Sequence, residues 1–352
     1  TCMMKAAVYY GKKDIRVEDW EDRPLQADEV KVKVAWIGIC GRDLHEYVHG
    51  PLNTPEEEEE FTGRTLPFPL GHEFTGIIEE VGSDVTKVAK GDRVVINPAL
   101  TLDNQPEGFD NTEGVATLGL NRPGGFAQYV NVPETVAHKV PEDLSLKYAA
   151  LTEPQAVAIQ AIKESGLKFG ETVAVIGVGP IGIATILGAK GAGAKRIVAI
   201  DLSDERLNLA KEMGADAVYN SKDYTSDQIL ENEGFENGFD VTFEVAGVAP
   251  TFVQSIDLTR ARGQVVILSI FSKEINWNPA QLTKSFVNVK ASLGYTYDTF
   301  LDTMELIENE RINSPKMVTS EIKLDEVPDG FELLANDKKQ AKILVNVDGE
   351  DN

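Results

Sequence analysis

The feature that most constrains this chain is a glycine pattern set between a strand and a helix. Gly177-Val178-Gly179-Pro180-Ile181-Gly182 follows the apolar run Thr172 to Ile176 and opens a helical stretch, Ile181 to Ala192. In that setting Gly177 permits a tight turn, Gly179 lets backbone approach a pyrophosphate, and Gly182 lets the helix pack against the strand. The free N–H groups at the helix start then face the anion. A second strand-like run, Arg196 to Ile200, ends at Asp201, 19 residues beyond Gly182. A carboxylate there accepts hydrogen bonds from ribose hydroxyls and repels a 2′-phosphate, so the pattern points to NAD over NADP. Arg206 lies near enough in sequence to serve a phosphate instead. The plain alternative is a glycine turn at a strand–helix junction that binds nothing; the whole pattern favours a dinucleotide.

Around this turn the chain changes character once. Up to about residue 150 it reads as short Val- and Ile-rich strands, Lys5 to Tyr10, Glu29 to Val34, Phe74 to Val81 and Arg93 to Ile96, with strand-like sequence again at Gly125 to Val130. The run Glu56 to Glu60 cannot pack and marks a solvated loop, and Asn97 to Arg122 is a second polar stretch with little periodicity. Leu151 to Gly166 has helical spacing. Beyond it strands and helices alternate: Asp204 to Met213 (helix), Phe239 to Val245 and Gln264 to Ser269 (strands), Tyr297 to Asn309 (helix), Lys342 to Val347 (strand). Such alternation predicts an α/β fold with a parallel sheet and crossover helices. With 352 residues, two domains are expected.

A formal charge of −23 disfavours nucleic acid and anionic membrane as partners. The longest uncharged stretch, Thr172 to Ala189, is broken by glycines and a proline, so no membrane span is expected. Of two cysteines, Cys2 lies in a Thr1-Cys2-Met3 leader before a natural-looking start at Met4 and is set aside. Cys40 then stands alone, which excludes an internal disulfide and suits a reducing, cytoplasmic setting.

Cys40 sits in Gly38-Ile-Cys-Gly-Arg-Asp-Leu-His45, on a glycine-flanked turn after a strand. Gly71-His72-Glu73 precedes another strand, and Leu151-Thr-Glu153-Pro154 opens a helix. A thiolate, an imidazole and carboxylates are common zinc ligands. Taken singly, each has a bland reading as a buried small residue or a satisfied loop side chain.

In order along the chain, these segments resemble the zinc-dependent medium-chain alcohol dehydrogenases. Glu79-Glu-Val-Gly82-Ser, Gly91-Asp-Arg-Val94 and Phe243-Glu-Val-Ala-Gly247 add to the likeness, which covers nearly the whole chain from Met4. Gly38 to Tyr47 with Gly50-Pro51 is most similar to the 2,3-butanediol (acetoin/diacetyl) dehydrogenases within that family. The resemblance implies a Rossmann doubly wound domain at 156–295 and a GroES-like β-barrel catalytic domain formed by 1–155 and 296–352. It implies Cys40, His72 and Glu153 as zinc ligands, Glu73 as a carboxylate able to enter the coordination sphere, and Asp43 orienting His72. His45 would pass the alcohol proton outward, and Gly177, Gly179, Pro180, Ile181, Gly182, Asp201 and Arg206 would serve NAD. The implied reaction interconverts a small diol and its ketone by hydride transfer, in a homodimer or homotetramer with residues 292–297 pairing across subunits. A sorbitol- or threonine-type dehydrogenase is the near alternative, and a non-catalytic NAD(H)-binding relative the distant one.

Two departures from the family pattern stand out. Arg42 replaces the Ser or Thr usual two residues after the ligand cysteine, and arginine cannot relay a proton at neutral pH. Either water substitutes, the reaction is slow, or the turn is displaced. Asn97 to Leu120 contains no cysteine. One catalytic zinc per chain is therefore expected, with no structural zinc.

Overall fold

A computed structural model of the chain describes residues 3–60, 62–101 and 115–349. Cys2 and most of the cysteine-free stretch between Asn97 and Leu120 lie outside the described residues. The chain forms two compact units. One comprises Thr1–Pro154, Phe300–Glu308 and Val318–Asn352; the other comprises Gln155–Thr299 and Asn309–Met317.

Ten strands open the first unit: β1 (Met4–Gly11), β2 (Asp14–Trp20), β3 (Glu29–Gly38), β4 (Phe68–Pro69), β5 (Glu73–Val81), β6 (Arg93–Ile96), β7 (Ala99–Thr101), β8 (Val115–Thr117), β9 (Tyr129–Pro133) and β10 (Ala137–Lys139). The second unit holds β11 (Thr172–Ile176), β12 (Arg196–Asp201), β13 (Ala217–Asn220), β14 (Phe239–Glu244), β15 (Thr259–Ile267) and β16 (Asn288–Ala291). β17 (Val318–Lys323) and β18 (Lys342–Asn346) complete the first.

In the first unit β2-β1-β4 form one sheet, and β10-β6-β5-β3-β18-β17 form a second with β9 also on β3. Their inner faces share a core that includes Tyr9, Val32, Val34, Ile37, Phe74, Ile78, Val94, Phe126, Phe331 and Ile343. β3 runs beyond its alternating part. After Val34 the residues Ala35, Trp36 and Ile37 are buried in succession, because strands pair on both edges and neither face meets water there. The strand-like run at Gly125 behaves differently. Residues 125–128 lie outside the named strands and cross between sheets, with Ala7 N–H donating to Phe126 O (2.8 Å) and Val34 N–H to Gln128 O (3.0 Å). β9 begins only at Tyr129.

The second unit is a six-stranded parallel sheet in the order β13-β12-β11-β14-β15-β16. That order reverses direction between β11 and β14, the arrangement of a doubly wound sheet whose ligand crevice lies at the strand C-termini. Ala174, Ile176, Val198, Ile200, Phe239 and Leu258 pack one of its cores. No helix among the described residues is long and apolar enough to cross a membrane.

A buried ion pair fastens the start of β3. Arg122 Nη2 donates to Glu29 Oε2 (2.9 Å) and to Asn131 O (2.6 Å), with Arg122 and Glu29 both buried. Breaking such a pair from one side strands a charge. Arg122→Met is expected to cost about 3–5 kcal/mol, and the double variant with Glu29→Gln distinctly less, as read by urea unfolding of single and double variants. Equal losses in both would remove the stranded-charge explanation.

Candidate metal and dinucleotide sites

Backbone pairing in the first unit gathers the metal-type side chains. Gly38 ends β3 and pairs with Glu73 at the start of β5 on one side and with Leu344 of β18 on the other. Two residues past Gly38, Cys40 caps helix α1 (Gly41–His49), where the sequence suggested only a turn. Cys40 N–H donates to Asp43 Oδ2 (3.1 Å), and the Arg42 N–H points at the Cys40 sulfur (3.5 Å). The sulfur thus sits at a helix N-terminus, where a thiolate is stabilised. The donor atoms of Cys40, His72 and Glu73 lie within 4.8 Å of one another. Glu153, near the start of helix Thr152–Ser165, brings its carboxyl against Glu73. Asp43 Oδ1 faces His72 Nδ1 at 3.3 Å, which leaves Nε2 as the ring nitrogen for a metal.

One member of this group was not foreseen. Lys342, the first residue of β18, is buried and donates from Nζ to Glu73 Oε2 (2.8 Å) and to Ile39 O (3.1 Å). A lysine heading the run Ile-Leu-Val in a buried strand is the one sequence signal that could have marked it.

The charges show what the cluster lacks. Burial pushes the Glu153 carboxyl up to about 7; His72 pulls the other way, and Glu73 adds to the rise. Burial, helped by Glu73, also pushes the Cys40 thiol up. Burial works against the His72 cation, yet Asp43 and Cys40 outweigh it and hold the imidazole well above its ordinary range. Four acidic side chains, Cys40, Asp43, Glu73 and Glu153, thus crowd one imidazole and one ammonium in a buried site. Glu73 Oε1 is buried with no N–H donor on it among the described residues, and the acidic Glu153 carboxyl is its neighbour. A divalent ion fits this donor set.

His45 is not part of the cluster. It is exposed on α1, its ring 5.1 Å from that of His49, on the wall of an open groove that Glu332 and Asn336 also line. Arg42 is exposed at the second helical position, and Cys40 keeps its capping place beside it.

The glycine turn of the second unit forms between β11 and helix Pro180–Gly191. Gly177 has φ +89°, and a side chain on it would run into Ala246 N. A Cβ on Gly182 would lie 2.2 Å from Gly177 O, while one on Gly179 would meet nothing nearer than the Arg206 guanidinium at 4.0 Å. The middle glycine faces open space, as a pyrophosphate requires. Pro180 is the first helical residue and Ile181 is partly exposed beside it. Asp201 ends β12 and accepts from Val178 N–H (2.9 Å) through Oδ2, and from Leu202 (2.7 Å) and Ser203 (2.9 Å) through Oδ1. Glu244, buried at the end of β14, receives the N–H groups of Ala246 (2.9 Å) and Gly247 (2.7 Å) and shapes the neighbouring loop.

Residues 26–142 match the profile of the alcohol dehydrogenase GroES-like domain, and residues 180–309 that of zinc-binding dehydrogenases. The chain belongs to the zinc-binding dehydrogenase family. It is 41% identical to the (R,R)-butanediol dehydrogenase of Bacillus subtilis, over 97% of this chain and 99% of that one. The crystal structure of a 2R,3R-butanediol dehydrogenase from Bacillus subtilis matches with a TM-score of 0.91 and 40% identity, covering 97% and 99% of the two chains. The sorbitol dehydrogenase of Bacillus subtilis is 30% identical, over 97% of each chain.

For a zinc-binding dehydrogenase, the contact of Asp43 with the far nitrogen of His72 is the kind that orients a ligand ring and raises its basicity. Asp43→Asn is expected to lower zinc affinity about 10–100-fold, measured by competition with a chromophoric chelator. Unchanged affinity would show that the carboxylate charge does not matter to the ring.

Proposed function

We propose that this dehydrogenase interconverts 2,3-butanediol and acetoin with NAD(H), and reduces diacetyl by the same route. The observation that carries the reading is end-to-end similarity to butanediol dehydrogenases at 41% identity. Sorbitol-type activity, represented at 30% identity, is the second reading.

Cys40, His72 and Glu153 would hold one zinc per chain, with Glu73 beside it. When bound, the zinc supplies a Lewis acid that favours the ionised form of an alcohol and polarises a ketone. Asp43 fixes the His72 ring. His45, exposed on α1, carries the alcohol proton away to solvent, and water takes the place of the hydroxyl that Arg42 lacks. Gly177, Gly179 and Gly182, with Pro180 and Ile181 opening the helix, take the cofactor pyrophosphate. Arg206 flanks the same turn. Asp201 accepts from the ribose and disfavours a 2′-phosphate. No structural zinc is required, since the stretch from Asn97 to Leu120 has no cysteine. A cytoplasmic homodimer or homotetramer is the expected form, which sizing of the purified protein tests.

The central experiment measures zinc content and follows NADH with butanediol isomers, acetoin, diacetyl, sorbitol and threonine. Stoichiometric zinc and a preference for butanediol and acetoin are expected, and Cys40→Ser should lose both metal and turnover. A chain that binds no zinc, or turns over none of these substrates when zinc-loaded, would end the reading. A preference for sorbitol would move it to the second.

Cofactor choice is separately testable. Asp201→Asn is expected to lower the NAD-over-NADP ratio of kcat/KM about 10–100-fold, each tenfold being roughly 1.4 kcal/mol. A change below about threefold would place the discrimination elsewhere.

A further inference from the structure

Lys342 has an obvious bland role as the counter-ion of a buried glutamate. Buried ion pairs of that kind contribute little net stability, and an apolar pair often serves as well. Its surroundings argue for more. Lys342 is 3% exposed, and its ammonium is anchored twice, on Glu73 Oε2 (2.8 Å) and on the carbonyl of Ile39 (3.1 Å), the residue before Cys40. Room for this contact comes from Gly38. A Cβ on Gly38 would stand 2.5 Å from Glu73 Oε2 and 3.2 Å from Lys342 Cδ. Any larger residue at position 38 would push the pair apart. Two strands fix the geometry, since Leu344 and Glu73 both pair with Gly38.

The consequence falls on Glu73. One of its oxygens is engaged by the ammonium; the other, Oε1, is buried with no N–H donor on it among the described residues, and the Glu153 carboxyl lies against the same group. Resting on the zinc reading above, we propose that Lys342 is a positioning residue that withholds Glu73 from the metal. It does so by holding one carboxylate oxygen and by placing a fixed positive charge beside the cation. Glu73 then remains a reserve ligand. The zinc is bound less tightly than the donor set allows, and a coordination position stays open to substrate oxygen. A purely structural lysine would do the opposite: its removal would disorder the cluster and weaken metal binding.

The experiment compares full-length wild type, Lys342→Met and Lys342→Arg. Zinc affinity is read by chelator competition, and ligand number by the visible spectrum of the cobalt(II)-substituted protein. Lys342→Met removes the charge but nearly keeps the side-chain length. It is expected to bind zinc about tenfold more tightly or better, with weaker cobalt absorption as Glu73 joins the coordination sphere and a lower kcat. Lys342→Arg should keep the wild-type affinity and spectrum. Equal or weaker zinc binding by Lys342→Met, with an unchanged cobalt spectrum, would overturn the proposal. If Lys342→Met does not fold, a crystal structure of zinc-loaded wild type decides. Glu73 should still be on Lys342 and off the metal, and a direct Glu73–zinc bond with Lys342 displaced would refute the inference. Failure of the wild type to bind zinc would instead strike the metal reading itself.

Discussion

The site of the first unit depends on one point in one sheet, the pairing of Gly38 with Glu73 on its one edge and with Leu344 on its other. Side chains alternate faces along a strand, so register decides whether Glu73 and Lys342 meet. Lys342 stands two residues before Leu344 and shares its face; Glu73 sits directly across from Gly38. A slip of one residue in either ladder would turn a charge into the hydrophobic core or out to solvent. The long apolar end of β3, buried on both faces, holds the register, because Trp36 and Ile37 have no other place to go. Cys40 follows from the same strand, carried past its end onto the cap of α1. The ion pair of Arg122 with Glu29 secures the opposite end of β3.

Given that register, electrostatics sets the character of the cluster. Acidic groups from β5, α1 and the helix at Glu153 converge around Cys40 and His72, with one ammonium among them. Burial makes every ionised form costly. Burial drives the Glu153 carboxyl and the Cys40 thiol up, while against its own burial Glu73 is held down by Lys342 and His72. The Lys342 ammonium lowers both carboxylates, and it donates a hydrogen bond directly to Glu73.

The sequence made some of this legible and hid the rest for physical reasons. β11 and the helix Asp204–Met213 fall where the apolar periodicity and flanking turn residues place them, and the glycine turn stands between strand and helix as its spacing requires. These are local signals. Helix α1 was missed because it is short and opens on Gly41 between glycines that read as a turn, although Leu44, Tyr47 and Val48 do recur at helical spacing. The crossing at Gly125 was read as a strand because its residues suit one. Its hydrogen bonds instead go to two different sheets, which local sequence does not encode. Lys342 was missed for a third reason: its partner Glu73 lies 269 residues away, and only the sheet brings them together.

Asp201 shows how one residue can satisfy a motif in two ways. The motif rule reads it as a ribose acceptor and a barrier to a 2′-phosphate. In the structure the same carboxylate binds the N–H of Val178 inside the glycine turn and two N–H groups of its own loop. It therefore braces the turn against the end of β12 before any ligand arrives. A hydrogen-bond donor brought to its oxygens must add to these bonds: Oδ1 already accepts two and Oδ2 one, so the remaining lone-pair site is on Oδ2. Preorganised in this way, the carboxylate has little freedom to swing aside for a phosphate. If Asp201 selects the ribose as proposed, selectivity and the shape of the glycine turn are coupled through one side chain, so a change of cofactor preference at position 201 must also be judged by what it does to the turn.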